Sequence, residues 1–224
     1  MTERDRAVYD PDCKRCPRLA AYLAQAQERH PDYWCRPVAP FGDAAARIVL
    51  VGLAPGLHGA NRTGRPFTGD HAGILLYETL HDLGLATQRQ SVSATDGLRL
   101  RGARISNAVK CAPPENKPAP GERDTCAPWL EAELRMVAGS LRSIVVLGGF
   151  AWQALWPALA GAGFALPRRR PAFGHGAEVE LTGPGEAPVL LIGCYHPSQQ
   201  NTFTGRVTGE MTDAVFTRAR DYRG

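Results

Sequence analysis

The chain of 224 residues has no apolar run approaching the roughly 20 residues that cross a bilayer, so no membrane partner is expected. Met1 to Asp12 is charged and has no apolar stretch of the secretory kind, so a soluble, cytoplasmic protein is expected, with residues 1–12 as a flexible tail. There is no G-x-x-x-x-G-K-[ST], and no G-x-G-x-x-G follows the first strand, so no nucleotide cofactor is expected. No histidine stands at ligand spacing from the cysteines. The net charge of +4 leans mildly toward a polyanionic partner.

Six cysteines in a chain without a secretory signal point to metal ligands or buried thiols rather than disulfides. Cys13 and Cys16 form a C-x2-C, followed by Pro17 at the start of a helix running to about Arg29. Two thiolates do not close a tetrahedral site. Cys111 and Cys126 supply a second pair, and the four together suit either a zinc ion or a four-iron cluster. Cys35 and Cys194 are left over.

Ile48 to Val51 is an unbroken aliphatic run, right for a strand buried on both faces. It empties into a glycine-rich loop, Gly52 to Asp70, that also carries Asn61, Arg62, Arg65 and Phe67. A helix resumes near His71 and ends at Gly84. Ala103 to Val109 reads as a second strand with Asn107 near its end. Pro120 begins a helical turn that delivers Cys126, and Pro128 opens a separate helix toward Ser140. Ser143 to Gly149 is a third strand, followed by a helix that Pro157 limits or kinks. Glu178 to Leu181 is a short strand, and Val189 to Tyr195 is the last, ending at His196-Pro197-Ser198. A helix over about Gly209 to Tyr222 closes the chain.

This alternation of strand and helix predicts a mostly parallel sheet covered by helices on both faces, as one domain over 1–224. In such a sheet the strand carboxyl ends share one edge, so the Gly52 loop, Asn107 and His196 converge there.

Gly52 to Asp70, reading G-L-A-P-G-L-H-G-A-N-R-T-G-R-P-F-T-G-D, resembles the first motif of the uracil-DNA glycosylase superfamily in its iron–sulfur family 5 (type B) form, close to family 4. H-P-S-x-x-N-T at His196 to Thr202 resembles the second motif, and the four cysteines have the family's spacing. The resemblance implies an α/β/α sandwich around a four-stranded parallel sheet. It also implies a structural [4Fe-4S] cluster on Cys13, Cys16, Cys111 and Cys126 in preference to zinc. The substrate it implies is uracil in DNA, or another deaminated or etheno base, rotated out of the duplex.

By the same resemblance Phe67 stacks on the base, Asn107 reads its N3 and O4 edge, and Gly52, Ala54 and Gly56 let the backbone approach it. An apolar residue can occupy the Asn107 position in family 5, so this chain is expected to favour uracil more sharply than such relatives. His196 meets the charge developing on O2. Leu53-Ala54 supply neither carboxylate nor amide, so Asp70 is expected to orient the water or stabilise the cation, with Asn116 helping to hold water or sugar. Arg62, Arg65, Ser198, Gln199, Gln200 and Arg206 are expected to contact DNA, as are Lys117 and Arg168 to Arg170. Phe203 or Gln199-Gln200 is the expected wedge. The chain is expected to act as a monomer. The rival reading is a non-catalytic DNA-binding module stapled by its metal.

Overall fold

The computed structural model describes residues 8–224. The core is a six-stranded sheet: β1 (Phe41–Gly42), β2 (Ile48–Gly52), β3 (Ala103–Asn107), β4 (Ser143–Leu147), β5 (Glu178–Thr182) and β6 (Pro188–Cys194), in the order β1-β3-β2-β4-β6-β5. The four inner strands are parallel, as the alternation predicts. The outer two pair antiparallel, β1 with β3 and β5 with β6, and enlarge the four-stranded expectation to six. At two residues β1 is too short to leave a period-2 pattern.

Both faces of β2, β4 and β6 are largely apolar, and alternate residues supply alternate layers, whereas β3 turns Arg104 and Ser106 toward Glu133. Val49, Val51, Ile144, Val146 and Leu191 face α4 (Pro120–Val137) and α5 (Gly149–Gly161). Ile48, Leu50, Val145, Leu147 and Ile192 face α3 (His71–Asp82) and α7 (Gly209–Asp221). Helix α1 (Pro17–Arg29) packs apart from these layers, with Leu19 and Leu23 against Val109, Cys111 and Cys126. Two short helices, α2 (Ala60–Thr63) and α6 (Gln199–Phe203), sit in the loops after β2 and β6.

Two details depart from the sequence reading. Pro128 does not open a new helix but lies inside the continuous α4, where α5 covers one flank. Pro157 lies within α5, in its last turns. Of the expected tail, residues 1–7 lie outside the described residues. From Val8 the chain is packed, with Val8 and Tyr9 buried and the Tyr9 hydroxyl donating to the Pro37 carbonyl at 2.6 Å.

From β2 the chain crosses to β3 on one side of the sheet and then to β4 on the other. The carboxyl ends of β2 and β4 therefore flank the topological switch point, where open α/β sheets leave a crevice.

Candidate active site

The crevice at that switch point is a cleft of about 1000 Å³, and it gathers side chains from four strand ends. In register, Gly52 at the end of β2 lies opposite Asn107 at the end of β3. A methyl group on Gly52 would come within 2.5 Å of Asn107 Oδ1 and 2.7 Å of Phe67 Cζ, so only glycine lets all three meet. Phe67 is 7% exposed and its backbone is left-handed, at φ +51°, a conformation seldom found for a bulky residue outside constrained sites. Its carbonyl packs against Gly73 in the first turn of α3, where a β-carbon would lie 3.0 Å from the Phe67 carbonyl carbon.

Asn107 is 4% exposed, and its Oδ1 is buried without a hydrogen-bond partner among the described residues. Leaving a buried amide oxygen unmet costs on the order of 1–3 kcal/mol, a cost that a ligand bearing a donor removes. His196 follows β6, and its ring lies 5.9 Å from that of Phe67, tilted by 35°. Gly148, at φ +98° between β4 and α5, leaves room for the His196 β-carbon, and the Asn201 side chain donates to the His196 carbonyl at 2.8 Å. Burial pushes the His196 pKa below the ordinary histidine value, so the ring is neutral at pH 7.

Asp70 caps α3, with Oδ1 accepting from the Gly73 N–H at 3.0 Å. Burial raises its pKa; the Gly73 and Ala72 amides and the charges of His71 and Arg62 oppose that rise without cancelling it. Its Oδ2 faces the glycine-rich loop. A point at the absent β-carbon of Gly56 lies 4.0 Å from Asp70 Oδ2 and 3.9 Å from Asn116 Oδ1, so the two acceptors flank one gap. Asn116 is exposed and left-handed, at φ +57°, and lines the same cleft, as do Ala54 and Gly56.

The cationic and rim residues divide. Arg206 lies on the cleft, stacked 5.0 Å over Tyr195. Arg62 is exposed and tied to its own loop, donating to the carbonyls of His58 and Gly69. Arg65 is not a surface cation. It is 4% exposed, pairs with Asp96 at 2.7 Å and stacks over Phe41, so the DNA contact expected of it is withdrawn.

Ser198 caps α6, Gln199 lines the cleft, and Gln200 is exposed beside it. Lys117 lies 3.7 Å from Glu115, and Arg168 to Arg170 are exposed. Phe203, 73% exposed, packs edge-on against His71. The sequence reading passed over Phe150, 74% exposed at the start of α5, although its place after a Gly-Gly strand stop marks it as a rim residue.

Cys13, Cys16, Cys111 and Cys126 line one pocket together with Trp129 and the residues that follow β3, Val109 and Lys110. Burial, then the neighbouring Cys126, Cys13 and Cys16, push the Cys111 thiol up to about 12. Cys126 is raised by burial, against the charge and backbone N–H of Lys110, the latter 3.3 Å from its sulfur. Among the described residues no three His, Cys, Asp or Glu side chains are drawn together tightly enough to grip a metal ion. The four sulfurs surround a pocket without meeting at a point.

The sequence profile of the uracil DNA glycosylase superfamily matches residues 39–221, a span that holds every residue lining the cleft except Tyr22. The chain belongs to the uracil DNA glycosylase superfamily. Within the superfamily it is 49% identical over 218 residues to the Type-5 uracil-DNA glycosylase of Mycobacterium bovis, covering 95% of this chain and 78% of that protein. To the Type-5 uracil-DNA glycosylase of Thermus thermophilus it is 45% identical over 217 residues, covering 95% and 94%. The Type-4 uracil-DNA glycosylase of Thermotoga maritima is more distant, 37% identical over 111 residues that cover 49% of each chain.

Proposed function

We propose that this chain is a monofunctional uracil-DNA glycosylase. It hydrolyses the N-glycosidic bond of a uracil rotated out of DNA and so initiates base excision repair. The observation that carries the reading is the buried, unmet amide oxygen of Asn107, held in one cleft with the Phe67 ring, the neutral His196 ring and the desolvated Asp70 carboxylate.

The extruded uracil stacks on Phe67, and the Asn107 oxygen accepts from its N3–H. As the bond from N1 to the anomeric carbon breaks, the electron pair leaves with the base and charge collects on O2. The neutral imidazole of His196 donates its N–H to that oxygen as the charge develops. The sugar becomes oxocarbenium-like, and the Asp70 carboxylate stabilises it. A water held in the Gly56 gap between Asp70 Oδ2 and Asn116 Oδ1 adds to the anomeric carbon, giving its proton to Asp70 and from there to solvent. Arg62, Arg206, Ser198 and Gln199-Gln200 serve the DNA backbone, and the exposed Phe203 ring is the wedge. The protein acts as a monomer.

The thiol pocket fits an iron–sulfur cluster: all four donors are soft sulfur, and they surround a pocket. Cys13, Cys16, Cys111 and Cys126 would hold it. Bound there, it would supply a structural cross-link between the residues before α1 and the loop and helix after β3, with no step in the hydrolysis.

Incubation with a uracil-containing duplex, followed by alkali, tests the reading. Free uracil and an alkali-labile site are the expected products, and binding without cleavage would favour the metal-stapled module instead.

A further inference from the structure

Three rings pack together beside the cleft, one of them, His58, lining it, and take no part in the chemistry above. Tyr33 and His30, just beyond α1, stack face to face with centroids 4.5 Å apart and planes 15° apart. His58, on the glycine-rich loop, meets both edge-on, at 5.6 Å from His30 and 5.9 Å from Tyr33. The Tyr33 hydroxyl lies 3.0 Å from His58 Nδ1. His58 is exposed and lines the cleft, one residue before Gly59, where a β-carbon would run into the Asp70 side chain.

We propose that His58 binds a phosphate of the DNA strand entering the cleft, through an Nε2–H that Tyr33 holds in place; this rests on the glycosylase reading of the cleft. A phenol is the stronger donor of the pair and an imidazole nitrogen the stronger acceptor, so Tyr33 donates to Nδ1. The ring proton therefore sits on Nε2, on the edge turned away from Tyr33. The three mutually packed rings fix that direction before any ligand arrives, which limits the entropy lost on binding.

The class of ligand follows from what surrounds the ring. Arg62 donates from Nε to the His58 carbonyl at 2.8 Å and from Nη2 to the Gly69 carbonyl at 3.2 Å, so its guanidinium is anchored on the same turn. An outward N–H beside an anchored cation suits an anion. His30 and Tyr33 turn one face each to the other, and His58 meets them with its edge, so the group the array directs outward is an N–H rather than a stacking face. On a DNA strand the matching group is the phosphodiester.

The test measures affinity for a uracil-site duplex made resistant to hydrolysis by 2′-fluorination of the target sugar. Each phosphate near the target is replaced in turn by an uncharged methylphosphonate. His58→Phe, which keeps the ring packing, is expected to weaken binding of the unmodified duplex about tenfold, the scale of one hydrogen bond to a charged group. The wild type should lose a similar factor at one particular phosphate, and His58→Phe should lose nothing further there. His58→Gln, which keeps an N–H at similar reach, should recover most of the affinity, and Tyr33→Phe should weaken binding several-fold.

If His58→Phe binds like wild type, or shows the wild-type methylphosphonate profile at every phosphate, the inference is wrong while the glycosylase reading stands. If Tyr33→Phe binds like wild type, Tyr33 does not orient the ring. If wild-type protein releases no uracil from an ordinary uracil duplex, the reading of the cleft fails and takes this inference with it.

Discussion

Asp70 serves two purposes with its two oxygens, one capping α3 and one facing the Gly56 gap. Asparagine caps a helix about as well as aspartate, so Asp70→Asn separates the two. Single-turnover excision of uracil should fall at least about a hundredfold, far more than DNA affinity, and near-normal excision would sink the assignment. Stability should not fall. A carboxyl whose folded-state pKa lies above its unfolded value costs stability as pH rises through the window between them. Asp70→Asn should therefore be as stable as wild type or more so above that window, with the advantage vanishing below it, as pH-dependent denaturant melts would show. Gly56→Ala adds a methyl at ordinary contact distance from Asp70 and Asn116 where the water is placed. It should fold normally yet slow excision at least about tenfold; normal rates would move the water elsewhere. Phe67, Asn107, Asp70 and His196 were legible in the sequence because strand ends and glycine runs show in the letters. Arg65 was misread because its partner Asp96 lies in a polar loop 31 residues on, which no local pattern connects to it.

At the scale of elements, the end of β2 is shaped by an absence. Gly52→Ala would force apart Asn107 and Phe67, so uracil excision should fall about tenfold or more while thermal unfolding moves only modestly. Strand β3 is also tied to α4 from beneath. Glu133 on α4 binds Arg104 at 2.7 Å, accepts from Ser106 at 2.6 Å and pairs with Lys110 at 3.2 Å, all of them buried. Glu133→Ala removes the carboxylate shared by two buried cations and should cost about 3–5 kcal/mol in denaturant unfolding. A cost under about 1 kcal/mol would show that the network does not hold β3 in place. The parallel strands and main helices were legible because each is a buried run or an amphipathic repeat bounded by glycine or proline. Proline misled in α4: Pro128 reads as a start signal, yet nine residues precede it from Ala119, and packing against α5 keeps the helix continuous across it.

Across the whole molecule, the cleft and the thiol pocket lie on different parts of β3 and its continuation, and the Lys110 backbone and side chain reach both Cys126 and Ser106. Cys111→Ser or chelation should abolish the broad visible absorption of iron–sulfur charge transfer and loosen α1 before the sheet, as hydrogen exchange would show. Equal loosening of both would deny the pocket a local structural role. The convergence of far-separated strand ends was legible from topology alone. The His58 array was not, since its partners His30 and Tyr33 come from a segment with no strand or helix pattern of its own. The most direct measurement of the central claim is a structure of the protein soaked with free uracil. The ring is predicted to lie on Phe67, its N3–H on Asn107 Oδ1 and its O2 at His196. Uracil bound away from these three residues, or excluded from the cleft altogether, would contradict the account.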